Sequence, residues 1–167
     1  MATRSSIALL NPDASLSSVY CHWDGYLEHN GKILVEHYAT QSQARQLLDH
    51  GNISVLARHM TPLHPDEHSF DKPEQDVCVF YRRDRNEDNE GSVYKTISDW
   101  IENDFAGIEF YYLGIPVPHD LYTAIHWLYR TDEATTFRYV SADLQVASLN
   151  AKAAGLLASW TGYEGEE

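Results

Sequence analysis

Cations, cysteines and long apolar runs are the scarce features of this 167-residue chain. Twelve Lys and Arg stand against 25 Asp and Glu, a formal charge of -13. A surface that negative repels nucleic-acid phosphates and anionic lipid heads, which disfavours direct binding to DNA, RNA or membrane. Two cysteines, Cys21 and Cys78, are too few for a disulfide framework, and free buried thiols are expected. No window approaches the eighteen or so apolar residues of a membrane span, and the short run Ile7 to Leu10 falls below a signal-peptide core. The chain is therefore expected to stay where it is made. Also missing are a Gly-Lys-Ser/Thr phosphate loop, a Gly-x-Gly-x-x-Gly turn, a Gly-x-Ser-x-Gly elbow and a His-Glu-x-x-His helix. Routine nucleotide hydrolases, dehydrogenases, esterases and zincins lose their support, and no cofactor is expected.

What the chain does hold is enough apolar material for a packed domain: 43% hydrophobic and 12% aromatic residues. The patterning predicts a single α+β domain over 1–167, with a mainly antiparallel sheet of five or six strands and three or four helices packed on it. Strands are expected at 4–10 and 17–23, joined by the Asn11-Pro12-Asp13 turn, and the second ends at Asp24-Gly25. Ile33, Leu34 and His37 have helical spacing. Thr40 and Gln43 predict a capping box, Ala44, Leu47 and Leu48 an apolar stripe, and Gly51 a left-handed stop. Residues 59–76 read as a long irregular loop. Strands are expected again at 77–82 and 108–113, and a helix around Ile97, Trp100 and Ile101, capped by Thr96 or Ser98. Pro116 and Pro118 are expected to break the chain before a hairpin around Asp132-Glu133. A helix is expected from Ser141 onward, followed by a short acidic tail at 164–167.

The densest chemistry lies in Tyr20-Cys21-His22-Trp23-Asp24-Gly25-Tyr26. Strand alternation puts His22 and Asp24 on one face, where a carboxylate orients an imidazole for acid-base work; the alternative is a pair that merely ties down a turn. His59, His64 and His68 are the right ligand types for a metal, but their spacing on a Pro-broken loop matches no common site. Arg82, Arg83 and Arg85, beside Phe80 and Tyr81, suit an anion or a nucleotide, unless neighbouring acids pair with them. Acidic residues flank the strand at 77–82: Asp66, Glu67, Asp71, Glu74 and Asp76 before it, and Asp84, Glu87, Asp88 and Glu90 after it. Together with Trp23 and Tyr26, this second group is the expected partner surface.

The start Thr3-Arg4-Ser5-Ser6-Ile7-Ala8, the Tyr20–Tyr26 motif, and Gly31-Lys32-Ile33-Leu34 before His37-Tyr38 resemble a group of small uncharacterised proteins of tailed bacteriophages. The match spans the first third of the chain and extends more loosely through Leu47-Leu48, Gly51-Asn52-Ile53-Ser54 and Tyr81-Arg82-Arg83-Asp84-Arg85. The resemblance implies a phage accessory product acting in the host cytoplasm, and it carries no reaction. The leading expectation is a protein that binds and inhibits or redirects a host protein with a basic surface, such as an antiviral-defence or nucleic-acid-processing factor. A nucleotide-signal sponge using the three arginines and a small enzyme centred on His22 and Asp24 are the alternatives. A homo-oligomer remains compatible with all three.

Overall fold

The computed structural model describes residues 2–117, 124–140 and 147–148. Strand β1 (Arg4–Leu10) and strand β2 (Leu16–Cys21) form the expected antiparallel hairpin. A π-helical turn (Leu27–Gly31) then runs into helix α1 (Lys32–His37), and helix α2 (Gln41–Asp49) follows. Next come β3 (Ile53–Val55), β4 (Val79–Phe80), α3 (Tyr81–Arg85), β5 (Ser92–Tyr94) and α4 (Ile97–Asn103). The described chain ends with β6 (Ile108–Val117), β7 (Ala124–Thr131), β8 (Arg138–Tyr139) and β9 (Ala147–Ser148).

Eight strands lie side by side in the order β4-β3-β2-β1-β6-β7-β8-β9, and β5 pairs with β2 outside that path. This corrects the expected mainly antiparallel sheet of five or six strands. The sheet is larger, and it is mixed, because β1 runs parallel to β6 and β2 parallel to β3. The reason lies in β1, which is buried at every position from Ser5 to Leu10. A strand apolar on both faces belongs in the middle of a covered sheet, beside a partner that arrives by a long crossover.

Each face has its own core. On one, Ile7, Leu9, Cys21, Ile53 and Tyr112 pack against Leu34 and Tyr38 and against Ala44, Leu47 and Leu48 of α2. On the other, Ala8, Leu10, Tyr111, Leu113 and Leu128 pack against Ile97 and Trp100 of α4. The consecutive serines Ser5 and Ser6, both fully buried, point to opposite faces and anchor one layer each. Ser5 Oγ accepts from Asn30 Nδ2 at 3.2 Å, and Ser6 Oγ accepts from Trp100 Nε1 at 2.8 Å.

Several local expectations need revision. The strand expected at 77–82 is only Val79–Phe80, because the Asp84 carboxylate accepts the Phe80 N–H at 2.9 Å and the chain turns into α3. Strand β6 continues through Pro116 to Val117. That proline lies beyond the last β1 pair, Leu9 with Gly114, so its missing N–H removes no bond on that side of the ladder. Strand β5 is three residues long, too short for an apolar alternation from which periodicity predicts a strand. The helix expected from Ser141 lies outside the described residues except at Ala147–Ser148, which pair with β8 as a strand; the acidic tail at 164–167 also lies outside them.

The capping box of α2 forms as its spacing predicts. Thr40 Oγ1 accepts from Gln43 N–H, and Gln43 Oε1 accepts from Thr40 N–H, both at 3.3 Å. Gly51 follows at φ 82°, where any side chain would be strained. Replacing Thr40 by Ala is expected to cost about 1 kcal/mol of stability, read as a lower urea midpoint with an unchanged slope.

Candidate functional site

Past Cys21 the chain leaves β2 through a corner that is held from three sides. Asp24 adopts φ 55°, a left-handed turn conformation that a short polar side chain tolerates. Gly25 N–H donates to Thr3 O at 2.8 Å, and its own carbonyl accepts from the buried Tyr112 hydroxyl at 2.7 Å. A Cβ at Gly25 would stand 2.7 Å from Thr3 O and 2.8 Å from Ser5 Cβ, so only glycine fits against the start of β1. On this clamped corner Trp23 is 43% exposed and Tyr26 38% exposed, large aromatic surfaces that the core does not use.

The titratable groups of the corner separate into two sets. The Tyr20 hydroxyl lies 2.6 Å from His22 Nδ1. Burial and then Arg4 hold the His22 imidazole below its usual pKa, and burial pushes the Tyr20 phenol up, so both favour their neutral forms. Asp24 instead stands beside Tyr26: its charge first, then burial, their hydrogen bond and Glu28 raise the Tyr26 phenol. His22 and Asp24 thus serve different tyrosines, and no imidazole-carboxylate pair forms between them. The third reactive type in the motif, the Cys21 thiol, is fully buried, and burial pushes its pKa up to about 12. Asn30 Nδ2 approaches it at 3.3 Å.

Beside the corner lies a groove of about 570 Å³, walled by the π-turn and α1 on one side and by residues 73–76 on the other. Ile33, Val55, Val77 and Val79 make its apolar lining. Glu28, Glu36, Glu74 and Asp76 line it as well, with Lys32 and Arg58 as its permanent cations. The groove reaches the corner through His29, whose ring centroid is 6.1 Å from that of Tyr26. Sequence reading did not find it, because its two walls lie roughly forty residues apart in the chain and meet only in the folded protein.

The arginine and histidine candidates are occupied with one another's surroundings. Arg83 clasps Asp84 with two bonds, Nε to Oδ1 at 2.8 Å and Nη2 to Oδ2 at 3.0 Å, and also donates to the carbonyls of Met60 and Cys78. His68 Nδ1 accepts from Glu74 N–H at 3.0 Å, which leaves the ring proton on Nε2, 3.2 Å from Asp84 Oδ2. The His68 and Asp84 side chains are 2% and 5% exposed. Asp84 is therefore an internal anchor and not part of the expected acidic rim. Arg85 pairs with Glu87 at 2.8 Å and lies over the Phe70 ring; Arg82 reaches the Asp49 carbonyl at 3.4 Å. The three arginines do not converge on a common anion position.

His59 joins the β-ladder through its backbone, His64 pairs with Glu74 at 3.3 Å, and His68 with Asp84. Among the described residues no three or more His, Cys, Asp or Glu side chains are grouped to hold a metal ion. Of the acidic loop residues, Glu74, Asp76, Asp84 and Glu87 have His or Arg partners. Asp66, Glu67, Asp71, Asp88 and Glu90 are exposed. The expected continuous acidic rim is thus a patchwork, neutralised locally where the loop is tied down. No protein-family model, curated protein or solved structure matches the chain.

Two measurements check these assignments. The Tyr112→Phe variant leaves the Gly25 carbonyl without its buried donor and is expected to lose about 1–2 kcal/mol in urea unfolding. Burial alone would raise the Asp84 carboxyl, but Arg83, the Phe80 N–H and His68 overcome it and hold it below its ordinary value. Its contribution is accordingly complete above the unfolded-state pKa and is lost as pH falls through the lower folded one. The urea midpoint is expected to fall as the pH drops from about 5 through the ordinary carboxylate range and below it. Asp84→Asn is expected to flatten that dependence and to cost about 1–2 kcal/mol at neutral pH, by weakening the charge-assisted bonds from Arg83 and the Phe80 N–H.

Proposed function

We propose that the chain is a phage-encoded accessory protein that binds a host protein with a basic surface in the host cytoplasm, and so inhibits or redirects it. The observation that carries this reading is the corner itself, where exposed Trp23 and Tyr26 alternate with Asp24 and Glu28 on a backbone clamped by Gly25 and Tyr112. Rigid aromatics cost little entropy on binding and dominate interface energetics. Adjacent carboxylates add what an incoming Arg or Lys needs, an ion pair at the edge of a ring face. The net charge of -13 speeds the encounter with a cationic partner and turns away nucleic acids. Asp88 and Glu90, with Asp66, Glu67 and Asp71, extend the negative field; Asp84 is withdrawn from it by burial under Arg83 and His68, and Glu87 is offset at the surface by Arg85.

The resemblance to tailed-phage proteins supports the setting, an infected cell whose defence and nucleic-acid-processing proteins offer basic clefts. No helix among the described residues is long and apolar enough to cross a membrane. The sponge reading loses motivation with Arg83 and Arg85 engaged by Asp84 and Glu87, and the enzyme reading with His22 bonded to Tyr20 and Asp24 set beside Tyr26.

The test is an affinity capture from bacterial lysate. The expected result is one stoichiometric complex that weakens as salt rises from about 50 to about 300 mM. The double variant Trp23→Ala with Tyr26→Ala is expected to weaken it at least tenfold. Retention of abundant proteins alone, or a complex indifferent to both salt and the double variant, rejects the reading.

A further inference from the structure

We infer that the groove beside the corner takes an extended basic segment of the partner, about four residues long, with aliphatic side chains on its apolar lining and Lys or Arg at its acidic rim. This rests on the reading given above and names the chemistry that the partner presents. Length comes first. Glu28 and His37 mark the extent of the helical wall, and the nine helical steps between them make about 14 Å. Four extended residues span about 13 Å. The volume of about 570 Å³ suits a short peptide and exceeds the need of a single side chain.

Period-two alternation in an extended chain sends successive side chains to opposite sides, so a segment alternating aliphatic and basic residues matches a groove with an apolar base and a charged rim. Ile33, Val55, Val77 and Val79 supply the base. At the rim, four carboxylates face two permanent cations, an excess of negative charge when the histidines are neutral. Glu74 keeps its charge, since the His64 backbone and side chain outweigh the cost of its burial. Arg58 and Asp76 are 3.4 Å apart and about half exposed, a weak pair that an incoming guanidinium displaces readily. An anionic ligand would meet the same rim as repulsion, which excludes nucleotides and acidic peptides from this place. Tyr26, linked to the groove through His29, places an aromatic ring where the bound segment would leave toward the corner.

The experiment titrates the ¹⁵N-labelled full chain with acetyl-Val-Arg-Val-Arg-amide, using acetyl-Val-Glu-Val-Glu-amide as the control. The basic peptide is expected to shift the amides of Ile33, Val55, Ala57 and Val77, and the acidic one to leave them unmoved. The exposed double variant Glu36→Lys with Asp76→Asn is expected to weaken the basic peptide about tenfold, and the charge reversal Glu102→Lys on α4, across the sheet from the groove, to leave its affinity unchanged. Thermal unfolding of each variant confirms that its fold is kept. Absence of shifts at about 10 mM peptide, shifts confined to other residues, or equal binding of the two peptides overturns the inference. The partner complex separates this failure from failure of the broader reading. Loss of the complex on altering Trp23 and Tyr26 but not Glu36 and Asp76 removes the groove and keeps the corner. The opposite pattern keeps the groove and removes the corner.

Discussion

Two neighbouring hydroxyls hold the layers of this protein together. Ser5 and Ser6 sit inside a strand that is buried on both sides, where an unbonded hydroxyl would be costly, and each finds its donor in a different layer. Asn30 comes from the π-turn on one face and Trp100 from α4 on the other. Because side chains alternate along a strand, these two bonds sit back to back across the sheet and set where each helical layer lies. Everything that the corner and the groove do depends on the first of them, since Asn30 belongs to the same turn that carries Glu28 and His29.

The long loop at 59–76 shows how an acidic protein spends some of its charge on architecture. Asp84 collects Arg83, His68 and the Phe80 N–H, and Phe70 packs against Tyr81 under the Arg85 guanidinium. A segment with no helix or strand of its own is thereby fastened to β4 and α3. It becomes a fixed wall, and residues 73–76 of it bound the groove. The same bonds remove Asp84 from the exterior field, so the negative surface is discontinuous, and exposed aromatics stand beside unpaired carboxylates at one place.

That coincidence occurs at the turn after β2. Gly25 is pressed against Thr3 and Ser5, and the Tyr112 hydroxyl reaches its carbonyl from β6. A backbone held in this way presents Trp23 and Tyr26 with little freedom left to lose on binding. Next to it, the groove offers depth and an acidic rim. A flat aromatic anchor and a charged slot are the two features on which the proposed cationic segment would rest.

Sequence alone determined the elements whose signals are local. The capping box at Thr40 and Gln43, the left-handed Gly51 and the Asn11–Asp13 hairpin depend on residues within a few positions of one another, as does the α4 cap, where the sequence allows Thr96 or Ser98 and the structure uses Thr96. The clustering of aromatic and titratable groups at 20–26 was equally plain. What only tertiary structure decided were relations between distant segments: the parallel β1–β6 pairing, the separation of His22 from Asp24, the burial of Asp84 under His68, and the groove itself. A carboxylate written in a run of charges looks solvated until a long loop brings an imidazole and an arginine over it. Periodicity records which way a side chain points within its own element, and it carries no information about which element arrives to meet it.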